Sequence, residues 1–248
     1  MSTKGEIREI RLQKVIADNA VCSRREAEML IKDGLVRVNG KIAELGQKVD
    51  PARDMIVVRG KALSKGHPKE PMVFILFKPK GYICSHSDPY HESTIFNLLP
   101  KELAKTKLIC AGRLDKDSEG LVVLTNDGAM ANKIMHPSKG IVKRYRVMLD
   151  KPLDERIIPK ILKGIHDDGE HLYAKRLILA KAGPKASQRL DIHLDQGHKR
   201  EIRRLFERFG YNVIKLHRFQ IGSLILKGLA KGSFKQLKKQ EIDLLFKN

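Results

Sequence analysis

Gly112-Arg-Leu-Asp-Lys-Asp-Ser-Glu-Gly120 runs into Leu121-Val-Val-Leu-Thr125, and together they decide the architecture of the larger part of the chain. The second segment is an apolar run of strand length. The first is a polar loop entered from another apolar stretch, Leu108-Ile-Cys110. It offers three carboxylates, Asp115, Asp117 and Glu119. Paired carboxylates can do acid–base work or hold a divalent metal. They can equally be turn-formers whose charges face water. Spacing alone does not choose among these.

Further strands are expected on both sides of this unit. Met72-Val-Phe-Ile-Leu-Phe77 is continuously apolar, as a central strand is. Tyr145–Leu149, Leu190–Leu194 and Asn212–Leu216 are the other candidates, with helices at 128–135, 154–163, 199–209 and 238–246. Strands mixed irregularly with helices predict an α+β domain over 72–248, built on a mostly antiparallel mixed sheet flanked by helices. Ser64-Lys-Gly-His-Pro-Lys-Glu-Pro71 is polar and broken by proline and glycine, so 64–71 reads as a linker. Residues 8–63 form a small α/β module in front of it. Its two short helices carry Leu12, Val15 and Ile16 on one face and Ala27, Leu30 and Ile31 on another. Ser23 and Glu26 have capping-box spacing, Gly34 closes the second helix, and Asn39-Gly40 marks a tight hairpin.

The 248 residues carry a formal charge of +20, which attracts polyanions, nucleic acid first. No apolar run approaches the ~20 residues that cross a membrane. No secretory leader or lipid anchor is evident, so no membrane partner is expected. Cys22, Cys84 and Cys110 give neither a disulfide framework nor a CxxC clamp, which fits reduced thiols in a cytoplasm. With no Trp and 5 % aromatics, contact with RNA would rest on backbone charge and shape. The histidines, His136-Pro137 among them, lack the spacing of a metal site.

Arg8, Arg11, Lys14, Arg24, Arg25 and Lys32 crowd the first two helices. Arg24 and Arg25 fall in the first turn of the second, where free amides also point outward, so a phosphate could be gripped there. A solvated basic face is the plain alternative. Late in the chain, at about 100° per residue, Ile202, Leu205, Phe206 and Phe209 share an apolar face. Arg200, Arg204 and Arg208 fall opposite, Arg200 and Arg204 as phosphate contacts or solubilising charge, while Arg203 sits at the boundary and can reach inward.

The segments Arg11-Leu-Gln-Lys-Val-Ile-Ala, Ser23-Arg-Arg-Glu-Ala-Glu and Gly34-Leu-Val-Arg-Val-Asn-Gly resemble the RNA-binding domain named after small-subunit ribosomal protein S-four. That resemblance implies that Ser23, Arg24 and Arg25 face structured RNA. Gly112–Gly128 resembles the signature of the RsuA/RluB/RluE/RluF group of pseudouridine synthases. Lys78-Pro-Lys-Gly81, Lys143-Arg-Tyr145 and Gly197-His-Lys-Arg-Glu-Ile-Arg-Arg-Leu205 resemble three further motifs of that group, in the expected order.

The family resemblance implies isomerisation of a uridine in ribosomal RNA, with no cofactor and no metal. Asp115 would be the essential carboxylate, Tyr145 the active-site tyrosine, and Arg203 the salt-bridge partner of Asp115. Arg113 would fill the space left by the flipped nucleotide or hold phosphate, and Lys78 would belong to a basic rim. Asp117 and Glu119 would shape the loop. His198-Lys199 departs from the group's usual Arg-Asn. Met135-His-Pro-Ser138 and Arg200–Leu205 lean toward the RluB-like branch, hence toward large-subunit (23S) RNA. The small-subunit RNA and an inactive ribosome-assembly protein are the alternatives. The implied partner is ribosomal RNA or a subunit precursor, met by a monomer in the cytoplasm.

Overall fold

The computed structural model describes residues 9–19, 21–63, 71–86, 93–104, 106–183 and 185–248. Contacts divide the chain into two compact units, Met1–Pro71 and Met72–Asn248. The expected linker lies, except for Pro71, outside the described residues, as does Arg8.

The first unit holds helices α1 (Leu12–Asp18) and α2 (Arg24–Lys32). Its strands are β1 (Ile10–Arg11), β2 (Val36–Val38), β3 (Lys41–Ile42), β4 (Lys48–Val49), β5 (Ile56–Val58) and β6 (Lys61–Ala62). Leu12, Val15 and Ile16 bury against Ala27, Leu30 and Ile31, the faces their spacing predicts. Asn39 and Gly40 take positive φ, and Val38 pairs with Lys41 across that turn. Ser23 caps α2 by accepting from the Glu26 amide at 3.2 Å.

The second unit contains β7 (Val73–Lys78), β8 (Ile109–Ala111), β9 (Glu119–Thr125), β10 (Lys143–Leu149), β11 (Ile165–Asp167), β12 (Glu170–Leu172), β13 (Arg176–Leu179), β14 (Arg189–Leu194), β15 (Val213–Ile221), β16 (Leu224–Ile225) and β17 (Phe234–Gln236). Its helices are α3 (Lys101–Ala104), α4 (Gly128–Met135), α5 (Ile158–Lys163), α6 (Glu201–Glu207) and α7 (Lys239–Leu244). One nine-stranded sheet runs β13-β14-β10-β15-β9-β7-β17, with β8 on β9 and β16 on β15. Its pairs are antiparallel except β9 with β15, which is parallel. The continuous apolar runs exist because both faces are covered. Phe74, Leu76, Val122 and Leu124 pack toward α5 and α6, and Val73, Ile75, Leu121 and Val123 toward α4 and α7.

The α+β class holds, and all five strand candidates are strands. The last is longer than its apolar pattern, because His217, Arg218 and Gln220 continue it as polar residues. The strands that escaped the reading, β8, β11, β12, β13, β16 and β17, are four residues or shorter, too short for a period to show.

Candidate active site

The carboxylate loop leaves β8 at Gly112 and enters β9 by way of Gly120. The parallel register sets Gly120 opposite Arg218. A Cβ at Gly120 would lie 2.3 Å from the Arg218 carbonyl oxygen, so only glycine lets the strands meet there. Arg218 is 2 % exposed and sends its guanidinium back under the loop. Nε donates to Leu121 O at 2.8 Å, Nη2 to Gly112 O at 2.8 Å, and Nη1 to Arg113 O at 3.4 Å and Tyr145 Oη at 3.5 Å.

Lys78 closes the crown of the loop from below. It is 0 % exposed, and its Nζ donates to Ser118 O at 2.6 Å, Pro79 O at 3.1 Å and Lys116 O at 3.3 Å. This overturns its expected place on a basic rim. β7 is buried on both faces, so a side chain at its end has only the loop carbonyls to meet. Burial lowers the Lys78 ammonium below its usual range, against the charges of Asp115 and Asp117 nearby.

The three loop carboxylates have different surroundings. Asp117 pairs with Arg203 and Arg200, each at 3.6 Å. Burial would raise its carboxyl, but its own backbone amide and then Arg203 and Arg200 hold it below the usual range. Glu119 pairs with Lys231 at 2.7 Å and lies 3.8 Å from His217. Asp115 is partly exposed, and among the described residues its carboxylate makes no hydrogen bond or ion pair. Its carbonyl accepts from the Ser118 amide at 3.1 Å, a turn that folds the chain back on itself.

The expected salt bridge between Arg203 and Asp115 is therefore not formed. The turn presents Asp117 to α6, and Arg203 also donates to Val213 O at 2.6 Å and Asp117 O at 3.3 Å. Its Nε is buried without a partner among the described residues. Arg204 is likewise not a free phosphate contact. Its Nε meets Asp167 at 2.6 Å and its Nη1 meets Glu170 at 2.5 Å, because the β11–β12 hairpin folds against α6. Arg200 and Arg113 remain exposed, as do Ser23, Arg24 and Arg25 in the first unit. Tyr145 is 8 % exposed on β10, with Arg218 Cζ 5.9 Å from its ring centre.

Three residues around this loop escaped the sequence reading. Arg218 had a signal: it alternates with the buried Leu216 and Gln220, an arginine on a core face. Cys84 and Cys110 had none, being 26 residues apart in sequence. Cys84 Sγ accepts from the Leu114 amide at 3.4 Å. Cys110 Sγ donates to Gly112 O at 3.8 Å, and the Cys84 and Cys110 thiols influence each other's titration. The Cys84 thiol is drawn down to about 6, first by Cys110, against burial, with the Leu114 amide, Arg218 and Lys78 adding. Cys110 is pushed up by Cys84 and by burial. Among the described residues no three His, Cys, Asp or Glu side chains gather within reach of one metal ion.

Residues 72–208 match the family described as RNA pseudouridylate synthase, and residues 10–56 match the S4 domain. The chain belongs to the RNA pseudouridylate synthase family. "Ribosomal large subunit pseudouridine synthase B" of Bacillus subtilis is 38 % identical over 240 residues, 95 % of each chain. The Haemophilus influenzae protein of that name is 35 % identical over 95 % of this chain and 66 % of its own. A solved pseudouridylate synthase superposes with a TM-score of 0.68 at 30 % identity, covering 95 % of this chain and 99 % of the other. Of the three loop carboxylates, Asp115 alone makes no hydrogen bond or ion pair among the described residues.

Proposed function

We propose that this synthase converts a specific uridine of large-subunit (23S) ribosomal RNA to pseudouridine, with Asp115 as the essential carboxylate. The observation that carries this is the sorting of the loop carboxylates. Asp117 and Glu119 are held by cations, while Asp115 is unpaired among the described residues on a loop pinned from below. The relatives named as large-subunit synthases support the choice of RNA. The reaction breaks the bond between the sugar and N1, turns the base, and joins C5 to the sugar as C5 loses its proton. A carboxylate serves by attacking an electron-poor carbon and leaving again, or by stabilising it. Tyr145 lines the base site, where its ring can stack and its hydroxyl assist the proton leaving C5.

Arg113, Arg200, Arg24 and Arg25 are exposed cations suited to phosphate, and Ser23 caps α2 just before Arg24 and Arg25. Residues 8–63 thus hold RNA and residues 72–248 modify it. None of the three cysteines forms a disulfide, as a reducing cytoplasm keeps them, and the enzyme acts as a monomer. No helix among the described residues is long and apolar enough to cross a membrane.

The test is tritium release from ribosomal RNA labelled at uridine C5. The intact protein turns over, and Asp115→Asn binds RNA but releases nothing. Release undiminished in that variant would sink the assignment. Mapping pseudouridine in both ribosomal RNAs after loss of the protein identifies the site. A loss confined to the small subunit would refute the choice of RNA.

A further inference from the structure

Arg218 is a buried guanidinium with no acidic partner among the described residues. Taking such a charge out of water is costly, and an apolar side chain would fill the same strand position without that cost. What the guanidinium obtains is four oxygens. Gly112 O and Arg113 O lie at the start of the carboxylate loop, Leu121 O lies just past its end, and the fourth is Tyr145 Oη. The backbone of the same residue pairs with Gly120, and Gly112 has room above Nη1, where a Cβ would stand 3.8 Å away. One residue thus meets both ends of the loop and the tyrosine on the neighbouring strand. A planar fork with donors on three nitrogens can do this, and a single ammonium cannot.

We propose that Arg218 is a positioning residue for the isomerisation, tying both ends of the Gly112–Gly120 loop and the Tyr145 hydroxyl into one frame that fixes Asp115 relative to the tyrosine. It touches no substrate, and its effect passes through those two groups. The inference rests on the roles given to Asp115 and Tyr145 above. Misplacement of a reacting group by about 1 Å costs on the order of 100-fold in rate, and that is the scale expected here.

The experiment uses the full chain with C5-tritiated ribosomal RNA and reads the saturating single-turnover rate separately from RNA affinity. Arg218→Gln should slow the step about 100-fold and Arg218→Lys about 10-fold, with RNA Kd within about two-fold of the parent. Leu216→Ala, a packing loss on the same face of the same strand, serves as the control for mere stability. At an equal fall in melting temperature it should leave the rate within about three-fold. A wild-type rate in Arg218→Gln would overturn the proposal, as would equal slowing in Leu216→Ala. Should Arg218→Gln not fold, a wild-type rate in Arg218→Lys overturns it instead. Asp115→Asn is run alongside. Turnover by that variant refutes the role of Asp115 itself, whereas an inactive Asp115→Asn beside a fully active Arg218→Gln refutes only the positioning role.

Discussion

Lys78 and Cys84 both meet the backbone of the carboxylate loop, and each is perturbed for a different reason. Lys78 is buried with three carbonyl partners. Lys78→Met keeps the length of the side chain but leaves those carbonyls without a donor. The loss expected is about 2–3 kcal/mol of stability, read by urea unfolding. An unchanged midpoint would mean that water replaces the ammonium and that the loop does not depend on it. Cys84 is held as the better thiolate of its pair, at about 6, first through Cys110. Its alkylation by iodoacetamide should therefore rise to half-maximal rate near pH 6, far below an ordinary thiol. In Cys110→Ala that midpoint should move up by a unit or more, on the order of what one lost hydrogen bond to an anion is worth. A midpoint that stays put would assign the shift to Arg218 and Lys78 instead.

At the scale of elements, legibility followed the length of the pattern. β7, β9 and α4 were readable because their apolar runs or periods reach five residues or more and agree with their burial. β11 and β12 were not, because Ile165–Asp167 and Glu170–Leu172 are short, polar at their tips and stabilised by a helix remote in sequence. The same fact defeated the reading of α6. Its outer face reads from the period as phosphate contacts or solubilising charge, yet Asp167 and Glu170 arrive from the hairpin to occupy Arg204, and Asp167 also pairs with Arg208. Asp115 was legible by motif, but its freedom from Arg203 was not, since the turn at Ser118 decides which carboxylate faces the helix.

The clasp between α6 and the hairpin has a pH signature. Arg204, then Arg208, holds the Asp167 carboxyl below its ordinary 3.8, and Arg204 holds Glu170 below 4.5. A depressed carboxylate adds stability above its unfolded value and loses it as pH falls through the folded value. Arg204→Ala should therefore be less stable than the parent at pH 7, and the two should converge as pH drops below 3.8. Urea unfolding across that range measures it. A gap that persists at low pH would show that Arg204 acts by packing and not by charge.

For the whole molecule, the distribution of charge matters more than its total. Residues 1–71 hold 15 Lys and Arg against 10 Asp and Glu, so most of the +20 excess belongs to residues 72–248. The unit bearing the S4 match is thus not the main source of long-range attraction to RNA. On the proposed reading its contribution comes from placed groups: Arg24 and Arg25, exposed in the first turn of a capped helix beside its outward amides, each suited to a phosphate. The second unit has its own cores on both faces of its sheet, so a chain lacking residues 1–71 should remain folded. It should still bind RNA through its charge, yet lose about ten-fold in affinity for the structured ribosomal substrate. If Arg24 and Arg25 each neutralise one phosphate, the slope of log K against log salt should fall by about 2 in that chain and in the Arg24→Ala, Arg25→Ala double variant alike. Equal slopes in all three proteins would return α2 to a solvated basic face and leave recognition of the RNA to the catalytic unit alone.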